Sequence, residues 1–242
     1  ADEGQVVYHN IYSAKVKSID PATCGDTTSS AQQAHVYEGL YNYHYLVRPL
    51  EVVPVLAAEL PTISDDGLTY TIPLKQDVVY QRNPCFGTDA DGRPKTRPLR
   101  AQDFVLSFKR IADYHLATPL SLAFIHDKIA GLREYRLRTR TYEKGDFSRY
   151  WKEELPGVEA VDEHTLRLRL TEPYPQLLYV LAMHVYAPIP REVIEYHLAT
   201  ESVRGGRRRT KPMDRRDPEI RDVEAMVGTG PYVLTTWTRG SR

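Results

Sequence analysis

The sequence predicts a mixed α/β fold, and three stretches carry that expectation. The first is residues 54–80, PVLAAELPTISDDGLTYTIPLKQDVVY. Here Leu68, Tyr70, Ile72 and Leu74 alternate with Thr69, Thr71 and Lys75, the period of two expected of a strand with one buried face. The second, residues 157–170 (GVEAVDEHTLRLRL), places Val158 and Val161 before Asp162-Glu163-His164 and alternates Leu166, Leu168 and Leu170 with arginines, a second hairpin. The third, residues 101–112, puts Phe104, Val105, Phe108, Ile111 and Ala112 on one side of a helix.

The remaining elements follow in chain order. Residues 5–12 (QVVYHNIY) read as a first strand, followed by a loop and by Ile19-Asp20-Pro21. Ser30 with Gln33 three residues on has the capping-box pattern, and Val36, Tyr37 and Leu40 extend that helix towards Gly39. In the first hairpin, Ser64-Asp65-Asp66-Gly67 forms the turn, with Gly67 free to take positive φ and the Asp side chains able to bond local backbone. Pro73 cannot donate to a ladder, so it is expected at an edge or a bulge, with Val78, Val79 and Tyr80 resuming the strand. Residues 81–99, with Gly87, Gly92 and three prolines, read as a loop. Arg100 is a poor N-cap for the helix that follows, leaving Asp103 in its first turn to favour the dipole. Residues 133–154 read as a solvated helix or loop, and 176–185 as an apolar helix. Pro190 suits the first turn of a helix over 191–199. Residues 200–222 are polar and basic and read as a mobile surface loop. Gly228-Thr229-Gly230-Pro231 then brings the backbone close to a neighbour before a strand starting at Tyr232.

Composition narrows the function classes. With 41% hydrophobic and 26% charged residues the chain is ordinary globular material, long enough at 242 residues for a substantial core. Lys+Arg and Asp+Glu number 32 each, and this zero balance points to neither nucleic acid nor an anionic membrane as partner. No apolar run of about 18 residues exists to span a bilayer. The start, Ala-Asp-Glu-Gly, fits a cytosolic protein or a mature end whose signal peptide is absent from this chain. Cys24 and Cys85 are too few to define a redox compartment.

No catalytic signature is present. The eight histidines lack the HExxH spacing of a zinc protease, and there is no Gly-x-Ser-x-Gly elbow and no Cys-x-x-Cys pair. Asp65-Asp66 is explained by the turn. Gly228-x-Gly230 lacks the following Lys-Ser/Thr of a phosphate cradle. The expectation is a protein without enzymatic activity, cofactor or metal.

Several motifs carry a family resemblance: Asp20-Pro21, Tyr37-Glu38-Gly39-Leu40, Asp66-Gly67-Leu68-Thr69-Tyr70-Thr71, Asp103-Phe104-Val105 with Ser107-Phe108-Lys109-Arg110, and Val227-Gly228-Thr229-Gly230-Pro231-Tyr232 with Trp237 and Gly240. Together they resemble the family 5 extracellular solute-binding proteins, the oligopeptide- and dipeptide-binding components of ABC importers. The resemblance implies a periplasmic-binding-protein-like class II fold: two α/β lobes that close on a ligand by hinge motion. This chain matches the first lobe only, with residues 1–40 and 157–242 as its core, 41–156 as an inserted hairpin and helix subdomain, and the second lobe absent. Residues 81–99 look like an insertion relative to the family.

The resemblance further implies a periplasmic or extracytoplasmic location, possible attachment through an N-terminal lipid that this chain lacks, and permease subunits as partners. It places the ligand against Gly25, Asp26 and Thr27 and against Pro119 and Leu120. Asp26 either pairs with a ligand ammonium or caps the helix near Ser29. An alternative reading is a solute-sensing module of a regulator or a chelated-nickel binder of the same fold.

Overall fold

The computed structural model describes residues 14–204 and 207–238. The expected strand at 5–12 lies outside the described residues, as do Gly205, Gly206 and Gly240. A 3-10 turn, Pro21–Thr23, leads into α1 (Thr27–Gln33). Asp26 is the N-cap of α1, so the helix begins before Ser30 and the capping-box expectation is corrected. Val36, Tyr37 and Leu40 fall beyond its end yet are buried in the core, because apolar side chains pack there without needing the helix to continue.

Next come β1 (Tyr41–Tyr43) and β2 (Val52–Pro54), an antiparallel pair with Tyr41 opposite Pro54. Then β3 (Thr62–Ile63) and β4 (Thr69–Pro73) flank the expected turn, where Gly67 has φ +70° and the Leu68 amide donates to Asp66 Oδ1 at 3.0 Å. Residues 78–80 do not resume β4. They pair instead with the far end of the 81–99 loop, Tyr80 donating to Arg97 O and Leu99 to Val78 O.

α2 (Ala101–Ile111) occupies the expected span, with Phe104, Phe108 and Ile111 fully buried. Asp103 does more than face the dipole: it accepts from the Arg100 amide and forms a two-pronged pair with Arg97 at 2.7 and 2.9 Å. Arg97 also grips Glu192 at 2.7 Å, fastening the 81–99 loop to two helices.

The next helices are α3 (Pro119–Ala123), α4 (Leu132–Thr139) and α5 (Arg149–Lys152). The expectation of a solvated segment at 133–154 is corrected here, since Tyr135, Arg149 and Tyr150 are buried. Arg149 escapes the usual rule for charge by meeting Asp113, itself buried, whose carboxylate also accepts from Tyr150.

β5 (Val158–Asp162) and β6 (Thr165–Arg169) form the second hairpin. They are followed by α6 (Leu177–Leu181) and by α7 (Arg191–Val193), which runs into a π-helical turn, Ile194–Leu198. Pro190 is the residue that caps α7, one position before its first turn. The basic stretch contains a further hairpin, β7 (Thr200–Ser202) and β8 (Arg208–Thr210), against the expectation of a loop. It is held by Arg208, whose guanidinium lies 3.8 Å from the Tyr196 ring centroid and bonds Thr200 Oγ1. Residues 231–238 form no strand, contrary to the expectation for Tyr232; its amide donates to His35 O at 3.2 Å, but among the described residues no ladder continues from that bond.

The principal sheet has the order β3-β4-β6-β5, all antiparallel. Tyr70 pairs with Leu168 and Ile72 with Leu166, so the alternation buries these four on one face, against which α2 packs. This makes β4 an interior strand, correcting the edge expected from Pro73. The proline is tolerated because it closes β4 beyond the two residues of β3, where its carbonyl accepts from Ala58. The sheet takes two strands from residues 41–156 and two from 157–242, so that boundary runs between strands of one layer.

Candidate functional site

Three segments meet beside α1. The first is Gly25-Asp26-Thr27. Asp26 adopts extended backbone and turns its carboxylate into the start of α1, Oδ1 accepting from the Ser29 amide at 2.9 Å and Oδ2 from the Ser29 hydroxyl at 2.8 Å. Burial acts to raise its pKa, but the two Ser29 bonds, together with the charge of Lys17 and the Thr28 amide, outweigh it and hold the carboxyl below its ordinary value. Asp26 is therefore an ionised helix cap.

The second segment is Pro119-Leu120 at the start of α3. Ser121 anchors it, donating to Ala22 O at 2.8 Å while its own carbonyl accepts from Tyr186 at 2.6 Å. This brings the two expected site segments together: a Cβ on Gly25 would stand 3.4 Å from Pro119 Cγ. Gly25, Thr27 and Pro119 are exposed and Leu120 is half-buried.

Leu120 also lines a cavity of about 290 Å³, with Ser30 of α1 and its C-cap Ala34, Tyr37, Glu38, Gly39, the β1 residues Tyr41, Asn42 and Tyr43, and residues 182–185. Gly25, Asp26, Thr27 and Pro119 border its neighbourhood without forming its walls. The third segment, 228–231, closes the far side through Pro231. Its glycines are dictated by sterics. A Cβ on Gly228 would fall 1.9 Å from Val36 O, and one on Gly230 2.7 Å from His35 O. This approach lets the Gly230 amide donate to Val36 O at 2.9 Å and Thr229 donate to Glu38 Oε2 at 2.9 Å.

Two polar side chains in the cavity escaped the sequence reading. Glu38 stands in the sequence as one position of a motif, yet Thr229 orients its carboxylate from nearly the other end of the chain. His184 is the other. Its Nε2 lies 3.0 Å from Gln33 Oε1, and Gln33 Nε2 donates to Ser18 O and Asp20 O. The amide orientation thus fixes Gln33 Oε1 as acceptor, so His184 carries its proton on Nε2 and keeps Nδ1 as a bare acceptor. Burial pushes His184 down to about 4, leaving it neutral near pH 7. No local signal marks this histidine, because its partner lies 151 residues away.

No group of three or more metal-ligating side chains occurs among the described residues. Cys24 and Cys85 are both free thiols, and burial pushes Cys85 up to about 12. No described helix is long and apolar enough to cross a membrane.

Comparison with solved structures identifies the fold as that of the peptide-binding class II periplasmic binding proteins. A pheromone receptor, PrgZ, whose structure reports its mode of peptide binding, superposes with a TM-score of 0.62 at 24% identity over 92% of this chain and 35% of its own. The Listeria monocytogenes OppA bound to peptide gives 0.61 at 22% identity, covering 93% and 35%. The chain belongs to the bacterial extracellular solute-binding proteins, family 5, whose profile matches residues 51–242. The periplasmic oligopeptide-binding protein OppA of Escherichia coli K12 is 26% identical over 229 residues, 95% of this chain and 33% of that protein. The glutathione-binding protein GsiB of Salmonella typhi is 28% identical over 223 residues, 92% and 30%. The chain thus spans about a third of the length of these curated relatives.

Proposed function

We propose that this chain is part of an extracytoplasmic solute-binding protein that captures an oligopeptide or dipeptide and delivers it to the permease subunits of an ABC importer. The observation that carries this reading, within the family, is the cavity beside α1. Glu38 and His184 Nδ1 are acceptors, suited to the amide N–H and ammonium groups of a peptide, while exposed Tyr43, with buried Tyr37 and Tyr41 in the same wall, gives the cavity an aromatic side. At about 290 Å³ the cavity holds a side chain or two, below most complete ligand sites of roughly 300–1,000 Å³. The rest of the grip falls to a second lobe, supplied by the length that the relatives have and this chain lacks. Gly25, Asp26, Thr27, Pro119 and Leu120 form the rim on which that lobe closes.

Calorimetric titration with a di- to pentapeptide library tests the reading, on this chain and on the longer protein containing it. The longer protein binds and this chain binds weakly or not at all; binding by neither overturns peptide as the solute. In the same titration Asp26→Ala weakens binding about tenfold if the carboxylate faces the ligand ammonium, about 1.4 kcal/mol. Unchanged affinity across the library leaves Asp26 as a cap alone.

A further inference from the structure

We propose that the tip of the β1–β2 hairpin, residues 44–51, is a membrane-contacting element that seats in the interfacial layer of a phospholipid bilayer. The proposal is independent of the peptide reading. The tip displays apolar and aromatic side chains to solvent: Tyr45 is 79% exposed, Leu46 70% and Leu50 48%. Between Glu38 and Glu51 there is no carboxylate, and Arg48 is the sole formal charge. Glu51 lies at the base of the tip, opposite His44, so the apex 45–50 carries a cation among tyrosine and leucine and no carboxylate, which complements the negative phosphate layer above an acyl core.

The backbone of the tip is also prepared to leave water. Arg48 Nη1 donates to Val47 O at 2.8 Å and Tyr45 O at 3.3 Å, the Leu46 amide donates to His44 Nδ1 at 3.3 Å, and the His44 amide donates to Glu51 O at 2.8 Å. These bonds lower the cost of desolvating groups that a lipid tail cannot satisfy. The aromatic side chains are braced: the Tyr45 ring stacks on His44 at 5.9 Å, and Tyr43 stacks on Tyr179 at 6.1 Å at the base of the hairpin. Tyrosine's amphipathic ring suits the headgroup depth, with Leu46 and Leu50 reaching deeper.

The test is co-sedimentation of the 242-residue chain with vesicles of phosphatidylcholine, alone or mixed with phosphatidylglycerol. The chain partitions onto both and more strongly onto the anionic mixture. Leu46→Ser with Leu50→Ser lowers partitioning at least about tenfold, as expected for two leucines that no longer leave water. Arg48→Gln removes the preference for phosphatidylglycerol. Tyr45→Trp, which keeps the tip apolar, gains emission that shifts to the blue and is quenched by brominated lipid. Unchanged circular dichroism confirms that each variant folds. Absence of sedimentation with either vesicle overturns the proposal. So does concentration-dependent self-association that Leu46→Ser with Leu50→Ser abolishes without any lipid binding, since the tip would then be covered by a second copy of the chain.

Discussion

Arg149 illustrates how the chain accommodates charge away from water. Its guanidinium meets Asp113 at 2.9 Å through Nε, with both side chains fully buried, and Asp113 also accepts from Tyr150. Asp113→Asn leaves the arginine uncompensated and should cost about 3–5 kcal/mol in urea unfolding. Arg138, paired with Glu153 but 43% exposed, is the control: Arg138→Ala should cost less than about 1 kcal/mol, and equal costs for the two variants would refute the distinction.

Buried His197 and half-buried His184 contribute to the response to acid. Burial holds His184 at about 4, and burial with the nearby Arg208 and Lys211 holds His197 at about 4, against an ordinary 6.5. Between those values the unfolded chain takes up protons that the folded chain refuses. Stability is therefore complete above pH 6.5 and falls as pH drops towards 4, by on the order of 2–3 kcal/mol per histidine. Urea midpoints measured across this range should decline, and His184→Gln and His197→Gln should each flatten the decline. An identical slope in the variants would show that the loss comes from other groups.

Between elements, the segment 228–230 lies in close contact with the backbone after α1. Gly228→Ala would set a Cβ 1.9 Å from Val36 O, forcing apart the strip that carries the Gly230–Val36 bond and the Gln81 bonds to Gly230 and Tyr232 carbonyls. A loss of about 3 kcal/mol is expected in chemical denaturation, and a loss below about 1 kcal/mol would mean the segment shifts freely. The sequence foretold a close approach here from two glycines and a proline, but not its target. The hairpins were legible for a similar reason: alternation and turn chemistry act within a few residues. The helix starts were less so, because Ser30 and Asp26 both offer oxygens to backbone amides and only the path of residues 24–27 selects Asp26.

One buried cluster runs from Ile19 to Val227 and joins both hairpins to α2, so packing links nearly the full described length. The Asp20–Arg110 pair reinforces it: Arg110 binds Asp20 at 2.6 Å and Pro218 O at 2.9 Å, and Asp20 accepts from the Ile220 amide at 2.8 Å. With no second core among the described residues, thermal unfolding should be a single transition, with near- and far-ultraviolet circular dichroism coinciding. Two resolved transitions would mean that residues 41–156 unfold as a separate unit.

Local chemistry alone determined the two hairpins, the span of α2, the turn at Gly67 and the motifs that mark the family, since each depends on spacing within a few residues. Folding decided the rest. The order β3-β4-β6-β5, the interior position of β4, the burial of Arg149 and the hairpin in the basic stretch all depend on partners far away in the chain. The candidate site divides the same way. Gly25 and Pro119 could be named from motifs, whereas Glu38 and His184 acquire their orientation from Thr229 and Gln33, 191 and 151 residues distant. Hydrogen bonds and close packing act over a few ångströms in space, and a linear pattern carries no record of which distant residues those ångströms will join.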